Sequence, residues 1–106
     1  MCGICGFVGK TVGSKYVFEG IQMLRNRGYD SMGCCSIDRV QKKIVVNKNA
    51  NTIEQDSFTL LQKDYVIHSQ ATCMIAHCRW ATTGIVNDVN SHPHLDTVFN
   101  GSKIAL

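Results

Sequence analysis

Cys2 and Cys5 open the sequence as a C-x-x-C, one residue inside Met1. Three chemistries can start there. The pair could be half of a zinc site, a thiol redox couple, or a chance spacing around a nucleophile at Cys2. Structural zinc takes four ligands, normally as two close pairs. The candidate second pairs are Cys34/Cys35, Cys73/Cys78 and His92/His94, and none repeats C-x-x-C. Adjacent cysteines in a strand also point to opposite faces, so Cys34 and Cys35 do not converge on one ion. A redox pair belongs at the start of a helix, where the dipole lowers the thiol pKa. Here the pair sits in a glycine-rich apparent strand. The third reading turns on position. With Met1 removed, the Cys2 thiol lies beside a free α-amino group, of which about a tenth is neutral base at pH 7. A base titrating near the working pH is what thiol activation needs. Cys5, Cys34, Cys35, Cys73 and Cys78 are expected to be small apolar filler in strands.

The elements that must position these residues are legible from periodicity. Residues 3–9 read as a short buried strand. A helix follows from Ser14, with Val17, Ile21 and Leu24 on one face and Gly28 as its stop. Segments 32–38 and 43–47 read as a hairpin across the polar turn "RVQK". Thr52 and Gln55 have the spacing of a capping box for a second helix that turns Phe58 and Leu61 inward. Residues 73–79 read as another strand, and 80–96 as a long structured loop.

The 106 residues carry 11 basic and 8 acidic side chains, a net charge of +3 with no basic stripe. Nucleic acid is therefore not expected as a partner. No apolar run approaches the ~18–20 residues of a membrane span. The first twenty residues lack a secretory pattern. A cytoplasmic, reducing setting with free thiols is the expectation.

Four segments occur in order: "MCGI", "RNRGYDSMG" at 25–33, "IAHCRWATTG" at 75–84 and "NSHPH" at 90–94. Together they resemble the glutaminase domain of the glutamine–fructose-6-phosphate aminotransferases, a class II glutamine amidotransferase family. The resemblance runs from Cys2 to about His94. It implies an α+β, N-terminal-nucleophile fold, an αββα sandwich, incomplete at the C-terminus. Residues 1–106 would be the N-terminal portion of one such domain, with the sugar isomerase domains absent. It also implies glutamine as substrate, no cofactor and no metal. Fructose 6-phosphate would be reached only through the missing isomerase part, and the full-length enzyme would be a homo-oligomer.

Residue by residue, the resemblance makes Cys2 the nucleophile with its own α-amino group as base. Arg27 and Gly28 match the Arg-Gly that flanks it. Arg79 matches an arginine suited to glutamine's α-carboxylate, since its planar fork binds carboxylate in a bidentate way. Trp80 shapes the pocket wall, and Thr82 is placed to hydrogen-bond substrate. Tyr29, Asp30 and Ser31 order the loop. His77 is expected in the core or just behind the site, and His92 and His94 as structural.

Two departures stand out. Thr83 replaces the family's His. Asn100-Gly101 either supplies the oxyanion hole or forms a β-turn, for which Asn-Gly is a strong signal. The turn reading is preferred, and it places the true Asn-Gly beyond Leu106. The alternative to a working enzyme part is a noncatalytic remnant that binds glutamate or a partner chain.

Overall fold

A computed structural model describes residues 1–97 and 103–105. Its frame is a four-stranded antiparallel sheet: β1 (Gly3–Val8), β2 (Ser31–Asp38), β3 (Lys43–Ala50) and β4 (Cys73–Arg79). The spatial order is β1-β4-β2-β3, so the last strand in sequence inserts between the first two. Leu95–Thr97 and Lys103–Ala105 pair as a separate two-stranded ribbon, β5 and β6. Asn100 and Gly101, and with them the oxyanion-hole and turn readings, lie outside the described residues.

Strand alternation divides the sheet into two faces. One face carries Met32, Cys34, Met74, Ala76 and Cys78. Helices α1 (Ser14–Met23) and α2 (Ser57–Lys63) pack over it with Val17, Phe18, Ile21, Phe58 and Leu61. Phe18 meets Tyr65 edge-on at a centroid distance of 4.8 Å. The short helix α3 (Tyr65–His68), which the sequence did not announce, brings buried His68 to the same face. There Ser36 Oγ donates to His68 Nδ1 at 2.7 Å, and His68 Nε2 meets Asn47 Oδ1 at 2.8 Å. An amide oxygen only accepts, so the ring's proton sits on Nε2.

Several expectations change in detail. Strand β1 is an edge strand, not a buried one. Ile4 and Val8 face solvent, while Gly3, Cys5 and Phe7 turn toward α1. The second helix begins at Ser57 because Asp56 caps it, accepting from the amides of Phe58 and Thr59 at 3.0 and 3.1 Å. Thr52 and Gln55 still bond to each other, but in a separate turn ahead of the helix. Cys34, Cys35 and Cys78 are buried as filler. Cys5 and Cys73 are only half-buried. All six thiols are free. The hairpin and β4 fall where the pattern placed them, except that β3 runs on to Ala50, and the loop from 80 gives way to β5 at Leu95.

The second face of the sheet is covered only in part. Segment 85–94 crosses it at one end. Lys48 Nζ there donates to the carbonyls of Val89 and Ser91 at 3.2 and 2.9 Å, and the Ala50 amide donates to Asp88 Oδ1 at 2.7 Å. Gly33 lies beneath it, where a Cβ would come within 2.0 Å of the His92 carbonyl oxygen. Side chains therefore have no room at that position. Ile4, Val8 and Ile37 lie exposed on the remainder of this face.

Candidate active site at the N-terminal end of the sheet

Antiparallel register brings three separate segments to one end of the sheet. Gly3 pairs with Cys78, and Ser31 pairs with Arg79. Cys2, just before β1, thus arrives beside the corner where β4 ends. The exposed Cys2 thiol points at the Trp80 carbonyl oxygen, 3.9 Å away, a weak S–H contact.

Residues 25–30 brace that corner from the other side. Arg25–Arg27 form a single 3₁₀ turn after α1. Arg25 anchors the turn to α2, 3.3 Å from Asp56 Oδ1 and over the Phe58 ring. Arg27 is exposed, and Gly28 is buried. Gly28 is not the stop expected for α1, which ends at Met23; it follows the separate 3₁₀ turn. Its φ of 175° is extended backbone that any residue adopts. A Cβ there would lie 2.5 Å from the Arg79 carbonyl carbon and 2.7 Å from the Trp80 nitrogen. The glycine is needed for close approach of two backbones, which the sequence pattern alone did not separate from helix termination.

The next two residues complete the brace. Tyr29 packs edge-on against Trp80 at 5.8 Å between centroids. The Asp30 amide donates to the Arg79 carbonyl at 3.1 Å, and Asp30 Oδ2 accepts from the Ala81 amide at 2.7 Å. Asp30 was expected only to order its loop, yet its carboxylate ends on the backbone of the site. An acceptor-only side chain at a strand entrance was the available signal.

Arg79 is 8% exposed. Its guanidinium donates to the carbonyls of Thr83 and Ile85, at 2.5 and 3.3 Å, so it ties the 80–87 loop to the sheet. Trp80 is partly exposed, and Thr82 is exposed on the loop. The structure thus gathers Cys2, Gly28, Arg79 and Trp80 at one end of the sheet. It leaves Arg27 and Thr82 at the solvent edge. The cavity of about 850 Å³ lies elsewhere, at the far end of the sheet, with Lys10, Ser36, Arg39 and Thr72 among its lining residues. Its size does not make it the site, because Cys2, Gly28, Arg79 and Trp80 are absent from its lining.

Behind the corner, three histidines cluster on the second face, His77 stacked on His92 and His94 tilted against it. His77 and His92 are 4.4 Å apart between ring centroids, and His92 and His94 are 4.6 Å apart. His77 Nδ1 is buried with no hydrogen-bond partner among the described residues. Burial, then the positive charge on His92, Arg79 and His94, pushes the His77 pKa down to about 4. Burial also lowers His68 and His92. The unfolded chain takes up protons on these rings below about pH 6.5, whereas the folded chain holds them neutral to lower pH. Their contribution to stability is therefore complete above pH 6.5 and declines as pH falls toward 4. We expect the urea midpoint to drop over that window and His77→Asn to flatten the slope. A midpoint unchanged between pH 7 and 4.5 would contradict the burial of these rings. Among the described residues no three His, Cys, Asp or Glu side chains form a group able to hold a metal ion. No described helix is long and apolar enough to cross a membrane.

The fold has counterparts among solved structures. The chain superposes on the glutamine phosphoribosylpyrophosphate amidotransferase of B. subtilis with a TM-score of 0.73 and 21% identity, over 99% of this chain and 21% of that one. A second structure, the allosteric regulatory enzyme of purine biosynthesis, gives 0.75 and 22% with the same coverage. This is the N-terminal-nucleophile glutamine amidotransferase fold. Sequence narrows the relationship further. The glutamine–fructose-6-phosphate aminotransferase (isomerizing) of Pyrococcus horikoshii is 40% identical over 96 residues, 91% of this chain and 15% of that protein. Its counterpart in Bacteroides thetaiotaomicron is 38% identical over all 106 residues, 16% of its length. The chain is a homologue of these aminotransferases over the stretch it spans, about 15% of their length. No protein-family model matches it.

Proposed function

We propose that residues 1–106 are the N-terminal portion of a class II glutamine amidotransferase domain and that Cys2, freed of Met1, is its nucleophile. The observation that carries this is the convergence of Cys2 with Gly28 and the Arg79–Trp80 corner, three separate segments that the sheet register brings to one end. The homologous stretch of the glutamine–fructose-6-phosphate aminotransferases supports it.

In this reading, the Cys2 thiol proton passes to the neutral α-amino nitrogen as Sγ bonds to the carboxamide carbon of glutamine. The tetrahedral species collapses with cleavage of its C–N bond. The ammonium group returns the proton to the departing nitrogen, which leaves as ammonia. Water then cleaves the thioester, restoring the thiol and releasing glutamate. Such an intermediate needs oxyanion donors, each commonly worth about a hundredfold or more in rate. Gly28 keeps the backbones close enough for Cys2 to reach its place, and Arg27 borders the same turn. Arg79 receives the α-carboxylate of glutamine once its guanidinium leaves the loop carbonyls. Trp80 and Thr82 line the substrate's path. The relatives' names carry fructose 6-phosphate as acceptor, and the same acceptor is proposed for the protein to which this stretch contributes.

Glutamine is expected to slow alkylation of Cys2 by iodoacetamide severalfold, whereas asparagine, one methylene shorter, is not. Equal protection by both amides, or by neither, would count against a glutamine site. One observation favours a second reading, a noncatalytic chain that binds glutamate or a partner chain: Thr83 stands where the resembled family has His. Calorimetry showing glutamate binding without glutamine hydrolysis would select that reading.

A further inference from the structure

Resting on the reading of Cys2 as nucleophile, we infer that Asp30 is a positioning residue that orients the Cys2 thiol through the peptide group joining Trp80 to Ala81. That peptide has two ends. Its N–H, on Ala81, donates to Asp30 Oδ2 at 2.7 Å, and its C=O, on Trp80, faces the Cys2 thiol at 3.9 Å. A trans peptide is planar, with N–H and C=O pointing opposite ways. Fixing the N–H therefore fixes the direction of the carbonyl. A carboxylate on the N–H also polarises the group and strengthens the carbonyl as an acceptor.

Asp30 is itself held firmly. Its amide donates to the Arg79 carbonyl at 3.1 Å, and its carbonyl accepts from the Asn51 amide at 2.8 Å. Beside it, the Tyr29 carbonyl accepts from Ser57 Oγ at the start of α2, at 3.3 Å. The backbone at Asp30 is thus tied to Asn51 after β3, to the start of α2 and to the end of β4, and this places its carboxylate. It transmits that position across one peptide group to an exposed thiol that makes no other side-chain hydrogen bond among the described residues. Nothing in the mechanism requires Asp30 to exchange a proton with substrate.

The test compares wild type, Asp30→Ala and Asp30→Asn, with the diazoketone analogue of glutamine as probe and adducts mapped by mass spectrometry. Asp30→Ala is expected to slow Cys2 labelling at least about tenfold, since misplacement by about 1 Å can cost a hundredfold. Asp30→Asn keeps an acceptor for the Ala81 amide and is expected to restore most of the rate. A purely structural role would not give that rescue. Cys34 and Cys78, fully buried, are the control and must stay unlabelled in all three proteins. Labelling of Asp30→Ala at the wild-type rate, or new labelling of Cys34 and Cys78 in it, would overturn the inference. Hydrogen exchange on the wild-type chain adds a test that needs no variant. The Ala81 amide is expected to be protected, and exchange at the unprotected rate would also overturn the role of Asp30. Failure of the probe to label wild type would sink the nucleophile reading and this inference together. Loss confined to the Asp30 comparison would leave the nucleophile reading standing.

Discussion

Gly28→Ala is expected to destabilise the fold by about 1–3 kcal/mol and to remove selective labelling of Cys2. The added Cβ meets backbone, not a side chain that can swing away: the Arg79 carbonyl carbon at 2.5 Å, the Trp80 nitrogen at 2.7 Å and the Arg79 oxygen at 2.8 Å. The end of β4 must move, and the carbonyl that faces Cys2 moves with it. The competing account, a glycine that merely ends the helix, forecasts the opposite sign. At an extended φ of 175°, alanine is unstrained and would stabilise by about 0.4–1 kcal/mol through the unfolded chain. Urea denaturation of the two proteins therefore separates the accounts by sign as well as by size.

The second large effect concerns the α-amino group. Blocking it, by acetylating the Cys2 nitrogen or by adding a residue ahead of Cys2 that is not removed, is expected to slow reaction with the diazoketone by about 10²–10⁴-fold. Neither change touches the thiol or the sheet. Alkylation of Cys2 by iodoacetamide at high pH, where the thiolate forms without help, is expected to change far less. If both reagents slowed equally, the block would be acting by bulk alone and the amine would have no role as base.

Much of the fold was legible because its signals are local. A glycine-punctuated apolar run marked β1, though not its exposed edge, and Val17, Ile21 and Leu24 marked α1. The polar turn between two β-rich segments marked the hairpin. What escaped was decided by competition or by distance. Asp56 outcompetes Thr52 as helix cap because its carboxylate reaches two amides at once. The short helix α3 has too few residues for periodicity to register. The stacking of His77 on His92 depends on a loop folding back across the sheet, and no spacing encodes that.

The site divides in the same way. Cys2, Gly28, Arg79 and Trp80 were identifiable from ordered motifs, and the structure brings them to one end of the sheet. Arg79's engagement with the carbonyls of Thr83 and Ile85 was not legible, because a carbonyl carries no side-chain signature. The role of Gly28 was only half legible. A glycine after a helix suggests a stop, and only the crossing of β4 shows that space is what the position demands. Asp30 was visible as part of "RGYDS", but its bond to the Ala81 amide spans 51 positions of sequence.

The most direct test of the account is to treat the chain with the diazoketone analogue of glutamine and map the adduct by mass spectrometry, recording the N-terminal residue in the same spectrum. One adduct per chain is expected, on Cys2, in molecules that have lost Met1, and none on Cys2→Ala. Adducts spread over the six cysteines, or a Cys2 adduct formed as readily with Met1 in place, would contradict it.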